Sequence, residues 1–251
     1  MDTKPLPDWA VRWERVLQVL RLVPGMPEKQ ALVHELLQPL ERPRVLAFVN
    51  AHAMNMAAQQ AEFAGLLMQA DVVLRDGSGM QVLLRMLGQP PGLNMNGTDF
   101  IPELLAACRG KRVALWGTQD PYLEQAKCRI AAEWGVECVS CLDGFLADAD
   151  YLAAMRTAAP QVVILGMGMP KQERIAALLK QANSVGCLVV CGGAILDFLG
   201  GRVARAPRLF RQTGLEWLYR LGLEPRRLYR RYVLGNPAFL WRAARFQGMR
   251  K

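Results

Sequence analysis

The sequence is short of the features that would place it across a membrane, around a metal or at a redox centre. No apolar run approaches the roughly 20 residues that a membrane-spanning helix needs, and the longest, such as 186–196, is about half that length. Histidine is nearly absent, with only His34 and His52 in the chain. The six cysteines do not compensate. Cys138 and Cys141 form a CxxC within VECVSCL, which reads as a strand, where residues three apart point to opposite faces. Cys187 and Cys191 would share a strand face but lie about 13 Å apart at roughly 3.3 Å per residue. No ligand spacing for zinc emerges, so reduced, mostly buried thiols are expected, with no metal and no cofactor. No GxGxxG follows any apolar run, which argues against a nicotinamide-dependent oxidoreductase. The N-terminus, MDTKPLPDWAVRWERV, carries charge where a secretory signal would be apolar, and this predicts a cytoplasmic protein.

Acidic residues are almost missing from one region. Residues 202–251 hold 13 Arg and Lys against Glu216 and Glu224 alone, while the 201 residues before them hold 18 basic and 20 acidic groups. The net charge of +9 is therefore a property of the tail, attached to a near-neutral body. Arg202, Arg205, Arg208, Arg211, Arg220, Arg226, Arg227, Arg230 and Arg231 alternate there with Phe210, Trp217, Tyr219, Tyr229 and Tyr232. Arginine among aromatics suits nucleic acid, an anionic membrane surface, a diphosphate or a simple solvated basic face. Arg220, Arg227 and Arg230 would share one face of a continuous helix, which Pro225 is placed to kink.

Hydrophobic patterning divides the rest. Trp9, Trp13, Val16, Leu17 and Leu20 recur at helical spacing, and a second helix runs to about residue 40. From residue 43 short apolar strands at 45–49, 72–74, 113–116, 136–141, 162–165 and 188–191 alternate with amphipathic stretches such as 54–69, 122–134 and 172–182. Continuous apolar strands alternating with helices predict an α/β fold, a Rossmann-like parallel sheet with helices on both faces. The expected organisation is a helical segment over 1–42, a catalytic domain over 43–201 and a helical basic appendage over 202–251.

Such sheets bind ligands beyond the carboxyl ends of their strands. Asn50, Asp76, Gly117, Gly166 with Gly168, and Gly192 all follow strands directly. Glycines there let a backbone approach a nucleotide, although they also serve ordinary tight turns. Asp76, between an apolar strand and Gly77-Ser78-Gly79, is the candidate general base, with a turn or helix-cap aspartate as the alternative. Pro170 and Glu173 suit a helix start, whereas Lys171 and Gln172 are free to reach a phosphate or a base.

Several of these stretches in order resemble the WecG/TagA/CpsF family of bacterial glycosyltransferases. They are Asp76-Gly77-Ser78-Gly79, Asn96-Gly97-Thr98-Asp99, Asp143-Gly144-Phe145, Pro170-Lys171-Gln172-Glu173, Gly192-Gly193-Ala194 with Asp197 and Gly200, Arg205-Ala206-Pro207, and GLEWLYR at 214–220 with EPRR at 224–227 and RRY at 230–232. The resemblance implies an inverting, metal-independent transfer from a UDP-sugar to a polyprenyl-diphosphate-linked saccharide in surface polysaccharide synthesis, at the inner face of the cell membrane. It makes Asp76 the base and Asn50, Asn96, Asp99 and Gln172 sugar or acceptor contacts. Gly117, Gly166, Gly168, Lys171 and Gly192 would form the nucleotide pocket, and Arg205, Arg220, Arg227, Arg230 and Arg231 would face the lipid diphosphate and the membrane. Phe48 stands where many members have threonine, which leaves the donor between glucose and an N-acetylmannosamine-type sugar. The resemblance gives nucleic acid no part, and the sequence is compatible with a homo-oligomer.

Overall fold

In the computed structural model, residues 5–207, 210 and 213–250 are described. Among them, seven strands form one parallel sheet: β1 (Leu20–Arg21), β2 (Arg44–Val49), β3 (Val72–Arg75), β4 (Arg112–Gly117), β5 (Glu137–Leu142), β6 (Val162–Gly166) and β7 (Leu188–Cys191), in the order β1-β3-β2-β7-β6-β4-β5. The five inner strands are buried on both faces, as their unbroken apolar sequences require, while the edge strands β1 and β5 are partly exposed. In β2, Leu46 and Phe48 point into one core while Ala47 and Val49 point into another. The first core lies under α2 (Met26–Leu36), α6 (Gly97–Ala106), α7 (Tyr122–Trp134) and α10 (Ile195–Leu199). The opposite face is covered in two halves, by α1 (Asp8–Gln18), α3 (Ala51–Gln59), α4 (Ala61–Gln69) and α5 (Gly77–Met86), and by α8 (Asp148–Ala158) and α9 (Lys171–Ala182).

Three local features differ from the sequence reading. The first helices are not alone in their segment, because Leu20 and Arg21 pair with Val73 and Leu74 as an edge strand; two residues are too few to leave an alternation signal. The stretch 54–69 is two helices, separated by Gln60 in extended conformation. In β5, Cys138 pairs with Val113 but Ser140 pairs with Ala114, so a bulge inserts one residue. It cancels the alternation and turns Cys138 and Cys141 towards the same core, not opposite faces. All six cysteines are free, and among the described residues no group of His, Cys, Asp or Glu is arranged to hold a metal ion.

The tail folds back on the body. It comprises α11 (Glu216–Leu223), α12 (Pro225–Tyr229), a π-helical turn (Arg230–Leu234) and α13 (Gly235–Met249). Phe239, Ala243 and Phe246 of α13 are fully buried, and the two phenylalanine rings lie 5.5 and 5.8 Å from Trp13. Asn55 on α3 donates to the Gly235 carbonyl at 2.7 Å and accepts from Arg242 at 2.7 Å. The last helix is thus part of the core, at about 1.5–3 kcal/mol per buried aromatic. Arg208 and Arg211 lie outside the described residues. No helix among the described residues is long and apolar enough to cross a membrane.

Candidate active site

The strand order reverses around β2, and there the tail helices close over the carboxyl ends of β2 and β3. Together they enclose a cavity of about 690 Å³. Asn50, His52, Asp76, Asn94, Asn96 and Asp99 line it from the body, and Trp217, Arg220, Arg231, Tyr232 and Phe239 line it from the tail.

Asp76 precedes α5, but its side chain makes no capping bond. One oxygen, Oδ2, accepts instead from Asn50 Nδ2 at 3.0 Å. Asn50 is the N-cap of α3, its Oδ1 accepting from the Ala53 amide at 3.1 Å, so its amide can face Asp76 only through nitrogen. The helix cap therefore fixes the orientation of the carboxylate. Burial raises the pKa of Asp76, and the Asn50 hydrogen bond with the charges of Arg231, Arg220 and Arg75 opposes that rise. Arg75, almost fully buried, donates to the carbonyls of Gly77 and Gly92 at 3.1 and 3.0 Å. It fastens the loop carrying Asn94, whose Oδ1 accepts from the Gly77 amide at 2.8 Å. Asn96 caps α6 through the Asp99 amide and donates to the Asp99 carboxylate at 2.8 Å, and Asp99 also pairs with Arg205.

The tail arginines separate into two groups. Arg220 and Arg231 reach the cavity, and each has a buried Nε without a hydrogen-bond partner among the described residues. Burial lowers the pKa of Arg231. Arg227 instead forms a two-bond pair with Glu224, and Arg230 is exposed. The shared face of Arg220, Arg227 and Arg230 does not form, because the backbone leaves helical geometry at Glu224 (φ −131°, ψ 59°) and a new helix starts at Pro225. The π-helical turn then brings Arg231, not Arg230, to Asp76; such turns are rare and occur frequently at functional sites.

The other half of the sheet edge is closed on itself. A Cβ on Gly117 would stand 2.4 Å from the Gly166 carbonyl, one on Gly166 2.7 Å from Leu196, and one on Gly192 2.5 Å from Ile195. Close packing of β4 against β6, and of the ends of β6 and β7 against α10, accounts for these glycines, and neither they nor Gly168 line the cavity. Lys171 donates to the carbonyls of Gly144 and Leu146 at 2.8 and 3.1 Å. Gln172 is 1% exposed, accepting from the Gly193 amide and donating to Glu173, both at 2.8 Å. As the chain stands, both side chains are engaged by protein groups away from the cavity, contrary to the expectation that they contact a ligand. Phe48 is also outside it, packed 6.5 Å from Phe100 in the core.

Of the residues singled out from the sequence, Asn50, Asp76, Asn96, Asp99, Arg220 and Arg231 line the same cavity. Sequence reasoning missed His52 and Asn94, which follow strands or cap loops without a motif of their own, and the cavity-lining role of Phe239.

A carboxylate shifted from its usual acidity, beside guanidinium groups whose Nε has no partner among the described residues, suits an enzyme handling phosphorylated substrates by general-base chemistry. Sequence comparison supplies the family. The Glycosyl transferase WecG/TagA/CpsF family matches residues 18–251, and the chain belongs to it. It is similar to the N-acetylglucosaminyldiphosphoundecaprenol N-acetyl-beta-D-mannosaminyltransferase of Bacillus spizizenii (strain ATCC 23059 / NRRL B-14472 / W23), 31% identical over 195 residues that span 73% of this chain and 72% of that protein.

Proposed function

We propose that this chain transfers a hexosyl unit, glucose or an N-acetylmannosamine-type sugar, from its UDP conjugate to a polyprenyl-diphosphate-linked saccharide during surface polysaccharide synthesis. The observation that carries the reading is Asp76, oriented by Asn50 at a cavity wall and faced by Arg220 and Arg231. Ionised Asp76 takes the proton of the acceptor hydroxyl as that oxygen attacks the anomeric carbon. The bond from that carbon to the phosphate oxygen breaks on the opposite side, so configuration inverts and UDP leaves with the electron pair. Asp76 then returns its proton to solvent. Both substrates carry a diphosphate, and Arg220 and Arg231 match its oxygens and the charge that grows on the leaving group.

The tail also supports docking on an anionic membrane surface. Leu223, Leu234, Leu240 and Trp241 are about half exposed, with Arg226 and Arg230 exposed among them. Apolar side chains interleaved with arginine suit an interfacial surface.

The test is a panel of UDP-sugars assayed against lipid-diphosphate acceptors, N-acetylglucosaminyl diphosphate carriers included. Transfer with inversion from one UDP-sugar is expected; the absence of transfer across the panel would remove the reading. Co-sedimentation with anionic but not neutral vesicles tests the docking surface.

A further inference from the structure

We infer that His52 reads an uncharged sugar hydroxyl beside Asp76, as a binding contact separate from the base and the arginines. The inference rests on the transferase reading. His52 lies in the first turn of α3, two residues beyond the cap that orients Asp76, and its half-buried ring lines the same cavity. No described residue forms a hydrogen bond with it. A polar ring that lines a cavity without a protein partner keeps its hydrogen-bonding positions available to a ligand there.

Its charge state says what kind of group it completes. Burial, with the nearby Arg231 charge, pushes the His52 pKa down to about 4. The helix N-terminus acts in the same direction. Arg231 approaches from the π-helical turn, Arg220 and Tyr232 line the same cavity from the tail, and Asp76 lines it from the end of β3. The imidazole is therefore neutral at physiological pH, presenting one N–H donor and one nitrogen acceptor. That pair matches a hydroxyl, which also gives and accepts one hydrogen bond. It does not match a phosphate, which takes donors only and has two guanidinium groups close by. A base that is half protonated only near pH 4 is also a poor competitor of Asp76 for the acceptor proton. Anionic and neutral parts of the substrates thus meet different side chains on one wall.

The hydroxyl belongs to the donor hexose or to the acceptor sugar, and the experiment separates them. The chain has two histidines, so ring-labelled protein gives two sets of imidazole signals, and His52→Gln identifies the set from His52. The probes are UDP, UDP-glucose, UDP-N-acetylmannosamine and a short-chain polyprenyl diphosphate bearing N-acetylglucosamine, each added alone. The expected result is a change in the His52 nitrogen shifts with a sugar-bearing probe beyond anything UDP produces. Equal shifts with UDP, or none with any probe, overturn the inference. In kinetics, His52→Ala should raise KM about tenfold for the substrate whose sugar moves the signal, in line with one lost hydrogen bond. His52→Gln, which keeps a donor and an acceptor, should recover part of that loss, with kcat nearly unchanged in both. An unchanged KM for both substrates, or a loss confined to kcat, overturns it. Failure of the wild-type chain to transfer any sugar would instead overturn the transferase reading and this inference together.

Discussion

The two halves of the sheet's carboxyl edge begin alike in sequence and end differently in space. Each offers glycines, helix starts and polar residues after apolar strands. Beyond β4, β6 and β7, these groups largely satisfy one another, Glu173 Oε2 excepted: Thr118 donates to Asp197 at 2.6 Å, Gln172 bridges Gly193 and Glu173, and Lys171 holds two carbonyls. Beyond β2 and β3, hydrogen-bonding capacity is left over on Arg220, Arg231 and His52, next to a carboxylate whose pKa is displaced. Polar groups in the closed half complete the fold, whereas those in the open half keep capacity that a substrate could complete. Chemistry is expected where the protein leaves its own polar groups unfinished.

The sharpest division between the halves is at Asp76. Asp76→Asn keeps the shape and the Asn50 contact but removes the base, and should lower kcat by about 10²–10⁴-fold. Binding of UDP-sugar, measured by calorimetry, should survive. In the wild type, transfer should fall as pH drops through the Asp76 pKa, which lies above the ordinary aspartate value. Transfer by Asp76→Asn at the wild-type rate would erase the distinction.

A second prediction concerns what holds the open half together. Phe246 lies fully buried 6.4 Å from Trp9 and 5.8 Å from Trp13, on the last helix of the basic tail. Phe246→Ala should destabilise the whole chain by about 3–5 kcal/mol in urea unfolding. A change near zero would show the tail to be an independent appendage.

The closed half carries its own strain. Burial raises Glu173 to about 7 from 4.5, and its Oε2 has no hydrogen-bond partner among the described residues. The folded state therefore holds this proton more tightly than the unfolded chain. Stability is full below about pH 4.5, declines as pH rises towards 7, and is level above it. The decline amounts to roughly 3 kcal/mol. Glu173→Gln removes it, so the variant's stability advantage in urea should grow between pH 5 and pH 8. An advantage equal at both pH values would mean that Glu173 is not titrating in this range.

The fold was largely legible because parallel strands buried on both faces must be continuous apolar runs, and because helices follow them at regular intervals. Asp76, Asn50, Asn96 and Asp99 were legible for a related reason: strand ends and helix starts are local signals. The choice among arginines was not local. It depends on where a helical path breaks, at Glu224 and in the π-helical turn, and on α13 returning to pack against Trp13. Gly117, Gly166 and Gly192 were ambiguous for the opposite reason, since close packing and ligand approach place the same residue at the same strand end.

The arginines offer the finest test, because stability and activity should move apart. Arg231→Met removes a buried charge whose Nε has no partner and leaves a side chain of comparable length. Stability should hold or rise, since no well-formed pair is broken. Transfer should fall by about 10–100-fold, the loss of one charge-assisted hydrogen bond to a diphosphate. Arg227→Met breaks an existing pair with Glu224, whose pKa that arginine holds below its ordinary value. Arg227 is exposed and Glu224 only partly buried, so about 0–1 kcal/mol of stability should be lost, with transfer close to wild type because Arg227 does not line the cavity. Thermal melts and initial rates on the two variants decide the matter. If Arg227→Met loses the activity and Arg231→Met does not, the cationic wall of the site belongs to a different turn of the tail.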